Sequence, residues 1–435
     1  MLPPGPSSHP LVQLVRWVQT PYPFLDACRA AHGGTFTLRL LGYGESVFTD
    51  DPDLIHAVFT APTDTLCAGK GNDVLLPFVG EQSVLTLDGA PHARDRRLMT
   101  PPFHGQRMRA YGQIIARAAE RAIADWAPGR TLPAHAAMQA VSLEVILRAV
   151  IGVDDGDDLA AGQRAITDML ATVSGATVFF ELLRRDFGSW SPGGKYQRRR
   201  AITDKLLYDV IARRKAAPGD DILSLLIAAR DEDGKPLDDE ALKSELVTLL
   251  LAGHETTANS LAWALAWLTT QPEVLAGVLS ELATAPDEPD AISKLPWLGA
   301  VCNEVLRILP VFPIVMRVAV KPWSHGPLDL PVGARIAPCI YLTHRRPDLY
   351  PEPEQFRPQR FIDRTFAPHE FLAFGGGSRR CLGQAFAMYE MKIVLATVLR
   401  TVRLKSVAGP SPIAERRNLA IGPRGGAMVT IEARL

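Results

Sequence analysis

The amino-acid sequence predicts a mainly α protein with a minor β portion. Helical spacing of apolar residues dominates from about residue 105 to about residue 310. One stretch sustains that spacing for about 33 residues, whereas strand-like alternation is confined to short segments on either side.

Taken in order, residues 1–30 form a proline-rich N-terminal segment. Prolines and Arg16 interrupt it, so it lacks the roughly 18 unbroken apolar residues of a membrane span. It also lacks the charged start and apolar core of a signal peptide. Residues 34–50, "GTFTLRLLGYGESVFTD", alternate around a Gly-Tyr-Gly turn and predict a hairpin. Asp51 followed by Pro52 predicts a capped helix through Phe59. The longest helix begins at Asp238 or Asp239, either a good N-cap, and runs to about Gln271, where Pro272 stops it. Leu242, Leu246, Leu249, Leu250, Leu261, Ala264 and Leu268 form its apolar stripe. Short strands, turns and prolines occupy Pro310 to Gly377. A last helix runs from Gln384 to about Thr401, and a terminal strand lies in "GAMVTIEA". With no internal repeat and no Gly/Ser linker, residues 1–435 read as one domain.

Lysine plus arginine and aspartate plus glutamate number 47 each, which gives no basic footing for a nucleic-acid partner. The clusters Arg198–Arg200 and Arg213–Lys215 read as solvated helix faces. Five cysteines, odd in number and scattered, exclude a disulfide framework, and without a Cys-x-x-Cys they offer no zinc or iron–sulfur site. A reducing, cytoplasmic compartment is expected. No Gly-x-Gly-x-x-Gly, Walker loop or His-Glu-x-x-His is present; His254 is expected to face solvent or to be satisfied within the core.

Two places break local rules. The long helix turns in mid-stripe to "AGHETTAN", where Gly253 weakens a helix interior by about 1 kcal/mol relative to alanine. One reading is a polar kink, with the Thr256 hydroxyl bonded to the Ala252 carbonyl. The other is a site in which Ala252 and Gly253 leave room for a ligand while Glu255 and Thr256 handle protons. The second place is "FGGGSRRCLG", residues 374–383. Arg379, Arg380 and the start of the following helix favour a thiolate at Cys381. Gly375, Gly376, Gly377 and Gly383 permit close approach of a flat ligand. A lone thiolate suits a single metal position such as the axial site of haem iron. The alternative, an inert buried thiol, is the reading taken for Cys28, Cys67, Cys302 and Cys339.

Phe374, Gly377, Arg379, Cys381 and Gly383 fit Phe-x-x-Gly-x-Arg-x-Cys-x-Gly, which resembles the haem-binding signature of the cytochrome P450 monooxygenases. "AGHETT" at 252–257 resembles the oxygen-activating segment of that family's central helix. Glu304 and Arg307 in "NEVLR" resemble its Glu-x-x-Arg pair, and Arg360 in "FRPQRF" the arginine that joins the pair. Departures are Gln359 in Pro-Gln-Arg-Phe and "HRRP" at 344–347, both read as peripheral to the iron. Glu255 stands where many members have aspartate.

The resemblance implies a cytochrome P450 fold, a long central helix over haem, and small N- and C-terminal sheets. It implies haem b with Cys381 as axial ligand, Phe374, Gly375, Gly377 and Gly383 around it, and His92, Arg96, Arg317 and Arg379 at the propionates. Ala252, Gly253, Glu255 and Thr256 take the catalytic places, and Glu304, Arg307 and Arg360 a structural triad. By family position the substrate pocket draws on Leu75, Leu76, Phe179, Phe180 and Leu249. Val311, Phe312, Ile314, Val315 and Ile421 complete it.

The expected reaction is dioxygen- and reductant-dependent hydroxylation or epoxidation of an apolar small molecule: a terpenoid, steroid-like compound, polyketide or fatty acid. Only 54 residues follow Cys381, so electrons are expected from a separate ferredoxin or flavodoxin with its NAD(P)H reductase, docking on the cysteine side. A peroxide-driven haem-thiolate peroxygenase is one rival, although such relatives typically lack an acid–Thr pair. A non-catalytic haem-binding protein is the other, and it has no reason to keep Thr256.

Overall fold

The computed structural model describes residues 2–105, 107–153, 157–407 and 413–435. Two helices that the sequence reading left out, α1 (Pro10–Gln19) and α2 (Pro21–His32), open the chain. Each begins with proline at its first position, where a missing N–H costs nothing, and His9 Nδ1 accepts from Leu11 N–H. β1 (Thr35–Leu40) and β2 (Gly44–Thr49) form the predicted hairpin, paired from Thr35↔Thr49 to Leu40↔Gly44. Asp51 caps α3 (Pro52–Thr60) by accepting from the N–H groups of Asp53 and Leu54. β3 (Leu66–Cys67), α4 (Gly89–Met99), α5 (Arg107–Ile123), β4 (Thr131–Pro133), α6 (Ala134–Ile146) and α7 (Pro192–Ala216) follow. Residues 106 and 154–156 of the expected helical run lie outside the described residues.

α8 (Asp239–Thr270) is the long helix, 32 residues with Asp238 as its cap and Gln271 as its stop. α9 (Pro296–Ile308) precedes β5 (Arg317–Ala319) and β6 (Arg335–Pro338). α10 (Gln384–Thr401) then leads into β7 (Val402–Ser406), β8 (Ala414–Arg417), β9 (Ala420–Pro423) and β10 (Met428–Arg434).

Among the described residues the larger sheet runs β1-β2-β6-β5-β3, with β2 and β6 parallel and its other pairs antiparallel. A three-stranded sheet, β4-β10-β7, and the β8–β9 pair lie near the C-terminus. One apolar core gathers side chains from α5, α6, α8, α9 and α10. A second joins α1, α2 and the β1–β2 hairpin to Tyr341 and Ile421. Ala134–Ile151 is the one described stretch long and apolar enough to cross a membrane, and 67% of it is buried inside the fold.

The basic clusters are not simply solvated. Arg200 is half-buried between Asp204 (2.6 Å), Tyr196 and the Phe78 carbonyl. Arg214 pairs with buried Asp221 at 2.8 Å.

Candidate active site

α8 is buried along most of its length, yet Leu249, Ala252, Gly253 and Thr256 are half-exposed. They recur at i, i+3, i+4 and i+7, so one stripe of a core helix faces open space. Thr256 Oγ1 donates to the Ala252 carbonyl at 2.6 Å. The polar-kink hydrogen bond and the open face therefore coexist. Gly253 plays a different part from the one expected. A Cβ there would lie 2.5 Å from Ile146 Cδ1, so the room beside it is taken up by α6 rather than left for a ligand.

The cysteine loop is folded by its own backbone. Gly375 N–H donates to Leu372 O and Cys381 N–H to Phe374 O, both at 2.8 Å. Gly375 (φ 67°) and Gly377 (φ 63°) adopt the left-handed conformation that disfavours side chains. A Cβ on Gly377 would overlap the Phe59 carbonyl at the end of α3. Cys381 alone of the five cysteines is solvent-accessible. Burial nevertheless pushes its thiol up, against the lowering effect of the Gly383 N–H, Arg96 and Arg380. Cys381 is thus both exposed to a solvent probe and desolvated by the protein around it. Here the structure corrects the sequence reading: neighbouring cations alone do not favour the thiolate, because desolvation outweighs them. Arg379 in particular turns away, bonding Val84 O (2.8 Å), Leu87 O and Asp88 (2.7 Å).

Basic side chains gather beside this loop. His92 is buried on α4 with Nε2 lacking any hydrogen-bond partner. Burial and then Arg379 and Arg96 push its imidazole down to about 4. Arg317, buried at the start of β5, is lowered to about 10 by burial and Arg379. Arg96 donates to the Arg380 carbonyl at 2.6 Å. Asp88 is the anion that acts on both His92 and Arg317. This much uncompensated positive charge, with a buried orphan nitrogen, calls for an anionic partner.

A buried triad, with Glu304 and Arg307 fully enclosed, supports the loop from behind. Glu304 accepts from Arg307 Nε (2.7 Å) and Nη2 (2.9 Å), from Arg360 Nε (3.2 Å) and from Arg357 N–H (2.7 Å). Arg307 also donates to the carbonyls of His344 (2.8 Å) and Gln355 (3.2 Å). His344, which the sequence reading set aside as peripheral, links triad to loop. Its Nε2 accepts from Leu372 N–H at 2.8 Å, so its Nδ1 carries the proton and donates to Arg307 O at 3.1 Å. Burial, then Arg307, holds its pKa well below the ordinary histidine value, which fits a neutral ring.

Glu255, buried beside Thr256, sits in a polar cage that sequence reasoning missed. Gln139 Nε2 donates to its Oε2 at 3.0 Å, and Asn259 Nδ2 lies 3.4 Å from Oε1. His135 Nε2, buried and otherwise unpartnered, lies 3.5 Å from Oε1. Burial raises the Glu255 pKa, but His135, His254 and Arg417 outweigh it and the net shift is downward. His254 itself is core-satisfied, its ring nitrogen 2.7 Å from Leu250 O. The only sequence signal for His135 and Gln139 was their i, i+4 spacing on a helix that also carries Ser142 and Glu144.

The cytochrome P450 family model matches residues 3–429. The chain belongs to the cytochrome P450 family. Cytochrome P450 135B1 of Mycobacterium tuberculosis is 38% identical over 440 residues, covering 99% of this chain and 92% of that protein. Cytochrome P450 138 of Mycobacterium bovis is 33% identical over 438 residues, covering 100% and 97%. Two solved structures share the fold: retinoic acid-bound cyanobacterial CYP120A1 (TM-score 0.88, 23% identity, covering 100% and 99%) and the cytochrome P450DA heme domain (TM-score 0.87, 23% identity, covering 99% and 97%).

Cytochromes P450 bind haem b, iron protoporphyrin IX, and the residues present fit it. An accessible sulfur in a desolvated wall suits an iron, and the gathered cations with the orphan His92 nitrogen suit two propionates. Membership supports a monooxygenase using dioxygen, a small molecule and a redox partner.

Of the residues assigned to this P450's pocket by family position, Leu75, Phe179, Phe180, Leu249, Ile314 and Val315 are half-buried, and Leu76 and Phe312 exposed. Val311, 7% exposed, and Ile421 are buried. Ile421, 1% exposed, is locked in the N-terminal core and donates its N–H to Val311 O at 2.8 Å.

Proposed function

We propose that the chain hydroxylates or epoxidises an apolar small molecule, with Cys381 as the axial ligand and with His92, Arg96, Arg317 and Arg379 on the propionate side. The observation that carries this reading is the accessible Leu249–Ala252–Thr256 stripe beside a caged carboxylate. Haem bound at Cys381 supplies dioxygen binding and reductive O–O cleavage. The chain's own residues then position and protonate. With its hydrogen committed to Ala252, Thr256 Oγ1 offers only lone pairs to the open face. It becomes a donor by releasing that carbonyl. Glu255, held ionised by its cage, accepts a proton at Oε1 or Oε2 and returns it to a water beside Thr256.

Leu249, Ala252, Ile314 and Val315 present apolar surface, which supports a terpenoid, steroid-like, polyketide or fatty-acid substrate. A ferredoxin or flavodoxin with its NAD(P)H reductase is the proposed electron source.

The test is Thr256→Ala in the holoenzyme, with a ligand found by screening apolar compounds for the low- to high-spin shift. The expected result is retained haem with more hydrogen peroxide and less product per dioxygen consumed. Unchanged coupling would remove Thr256 from this role.

A further inference from the structure

Arg416, the third residue of β8, is a cation without an anion. Its neighbour Glu415 pairs with Arg424 at 3.5 Å, and Arg416 itself forms no ion pair with a described residue. The guanidinium is wedged between two rings, 5.3 Å from the centroids of both Trp17 and Phe179. Nε donates to Val18 O at 3.1 Å, Nη2 to Trp17 O at 3.2 Å and Nη1 to Leu419 O at 3.4 Å. A guanidinium has five N–H groups, so these bonds leave one free on each terminal nitrogen. Burial lowers the pKa to about 10, and the group that opposes the shift is the Tyr22 phenol, itself kept protonated by burial.

Part of this arrangement is a clamp. Trp17 and Val18 lie in the last turn of α1, and a cation suits the carbonyls of a helix C-terminus. A neutral glutamine could hold those carbonyls without desolvating a charge. The helix end offers only about half a negative charge, and ring faces offer a quadrupole. A full positive charge kept from water calls for a full negative one.

The surroundings indicate where that anion enters. Phe179, Phe180 and Ile314, all assigned to the substrate pocket, pack on the core that contains Trp17. Leu419, in the β8–β9 turn, packs with Phe179 and Leu251 against a further apolar cluster. Leu251 immediately precedes Ala252 of the open stripe on α8. Apolar side chains therefore lead from the guanidinium to the central helix.

We propose that Arg416 binds the carboxylate of an apolar monocarboxylic acid whose body lies along Phe179, Phe180 and Ile314. This rests on the reading of the chain as an oxygenase of apolar molecules, and narrows its substrate to an acid. The two free N–H groups answer the two carboxylate oxygens, and the flanking rings hold the guanidinium plane.

The test titrates the holoenzyme at neutral pH with matched acids and alcohols: hexadecanoic acid against hexadecanol, and abietic acid against abietinol. The low- to high-spin shift reports binding. In at least one pair the acid should bind about tenfold tighter than the alcohol or more. Arg416→Gln should cut that preference to about twofold or less, and Arg416→Lys should keep part of it, supplying charge without the fork. A retained Soret band verifies that each variant folds. Should Arg416→Gln lose its haem, a weakened but remaining preference in Arg416→Lys upholds the anchor. A wild type that binds neither acid tighter than its alcohol overturns it, as does a preference that Arg416→Gln retains in full. In both of those cases neutral ligands that still shift the spin state leave the monooxygenase reading standing. No shift with any acid, alcohol or other apolar compound would count against both.

Discussion

Replacing His344 by leucine cuts the link between the buried triad and the cysteine loop while keeping side-chain volume. The Leu372 N–H loses its acceptor and the Arg307 carbonyl its donor. A buried donor left unpaired costs about 1–3 kcal/mol, and the second lost bond about 1 kcal/mol. Loss of ring contact with Phe371 (5.3 Å) and Tyr350 (5.9 Å) adds roughly 0.5–1.5 kcal/mol. The variant should be less stable by about 2.5–5.5 kcal/mol.

The pH dependence has a definite sign. His344 is held neutral in the fold, its pKa well below the unfolded value. Below about pH 6.5 the unfolded chain therefore binds a proton that the folded chain refuses, and wild-type stability falls by up to about 1.4 kcal/mol per pH unit. Leucine lacks that contribution, so the gap is full above the unfolded pKa and narrows as pH drops below it. Urea unfolding followed by far-UV circular dichroism on both sides of that pKa, with haem retention alongside, measures both effects. A variant within about 0.5 kcal/mol of wild type, or a gap that widens on acidification, would refute the link.

Glu255 is the next target. Its pKa is depressed, so its contribution to stability is present above the unfolded carboxyl pKa and lost as pH falls through the folded one. His135→Phe should raise the folded pKa and move acid unfolding to higher pH, and Glu255→Gln should erase the difference between the two backgrounds; an unmoved transition would contradict the cage. Gly377→Ala places a Cβ at φ 63° against the Phe59 carbonyl. It should cost at least about 1–2 kcal/mol and loosen haem binding, seen as a lower melting temperature and faster haem transfer to apomyoglobin; wild-type values for both would mean the loop tolerates a side chain there.

What the sequence made legible was whatever it marks locally. Asp51 and Asp238 announce their helices by capping, Pro272 ends one, and Gly-Tyr-Gly turns the hairpin. The cysteine loop was legible because glycines, arginines and a thiol crowd into ten residues. Contacts distant in sequence were not legible. His344 meets Arg307 and Leu372, 37 and 28 residues away, and Gln139 meets Glu255 across 116. Nothing near those residues records the pairing. Periodicity also cannot separate a core face from a pocket face. Ile421 and Val315 look alike as apolar residues, yet one is sealed in a core and the other keeps free surface. Gly253 shows the same ambiguity, since a missing side chain admits a neighbouring helix as readily as a ligand.

The most direct measurement is the carbon monoxide difference spectrum of the dithionite-reduced protein, wild type beside Cys381→Ser. The wild type should give the strongly red-shifted Soret band of thiolate-ligated haem, and the serine variant should lose that band. A wild type without the shifted band, or a variant that keeps it, would contradict the assignment of Cys381 as the ligand.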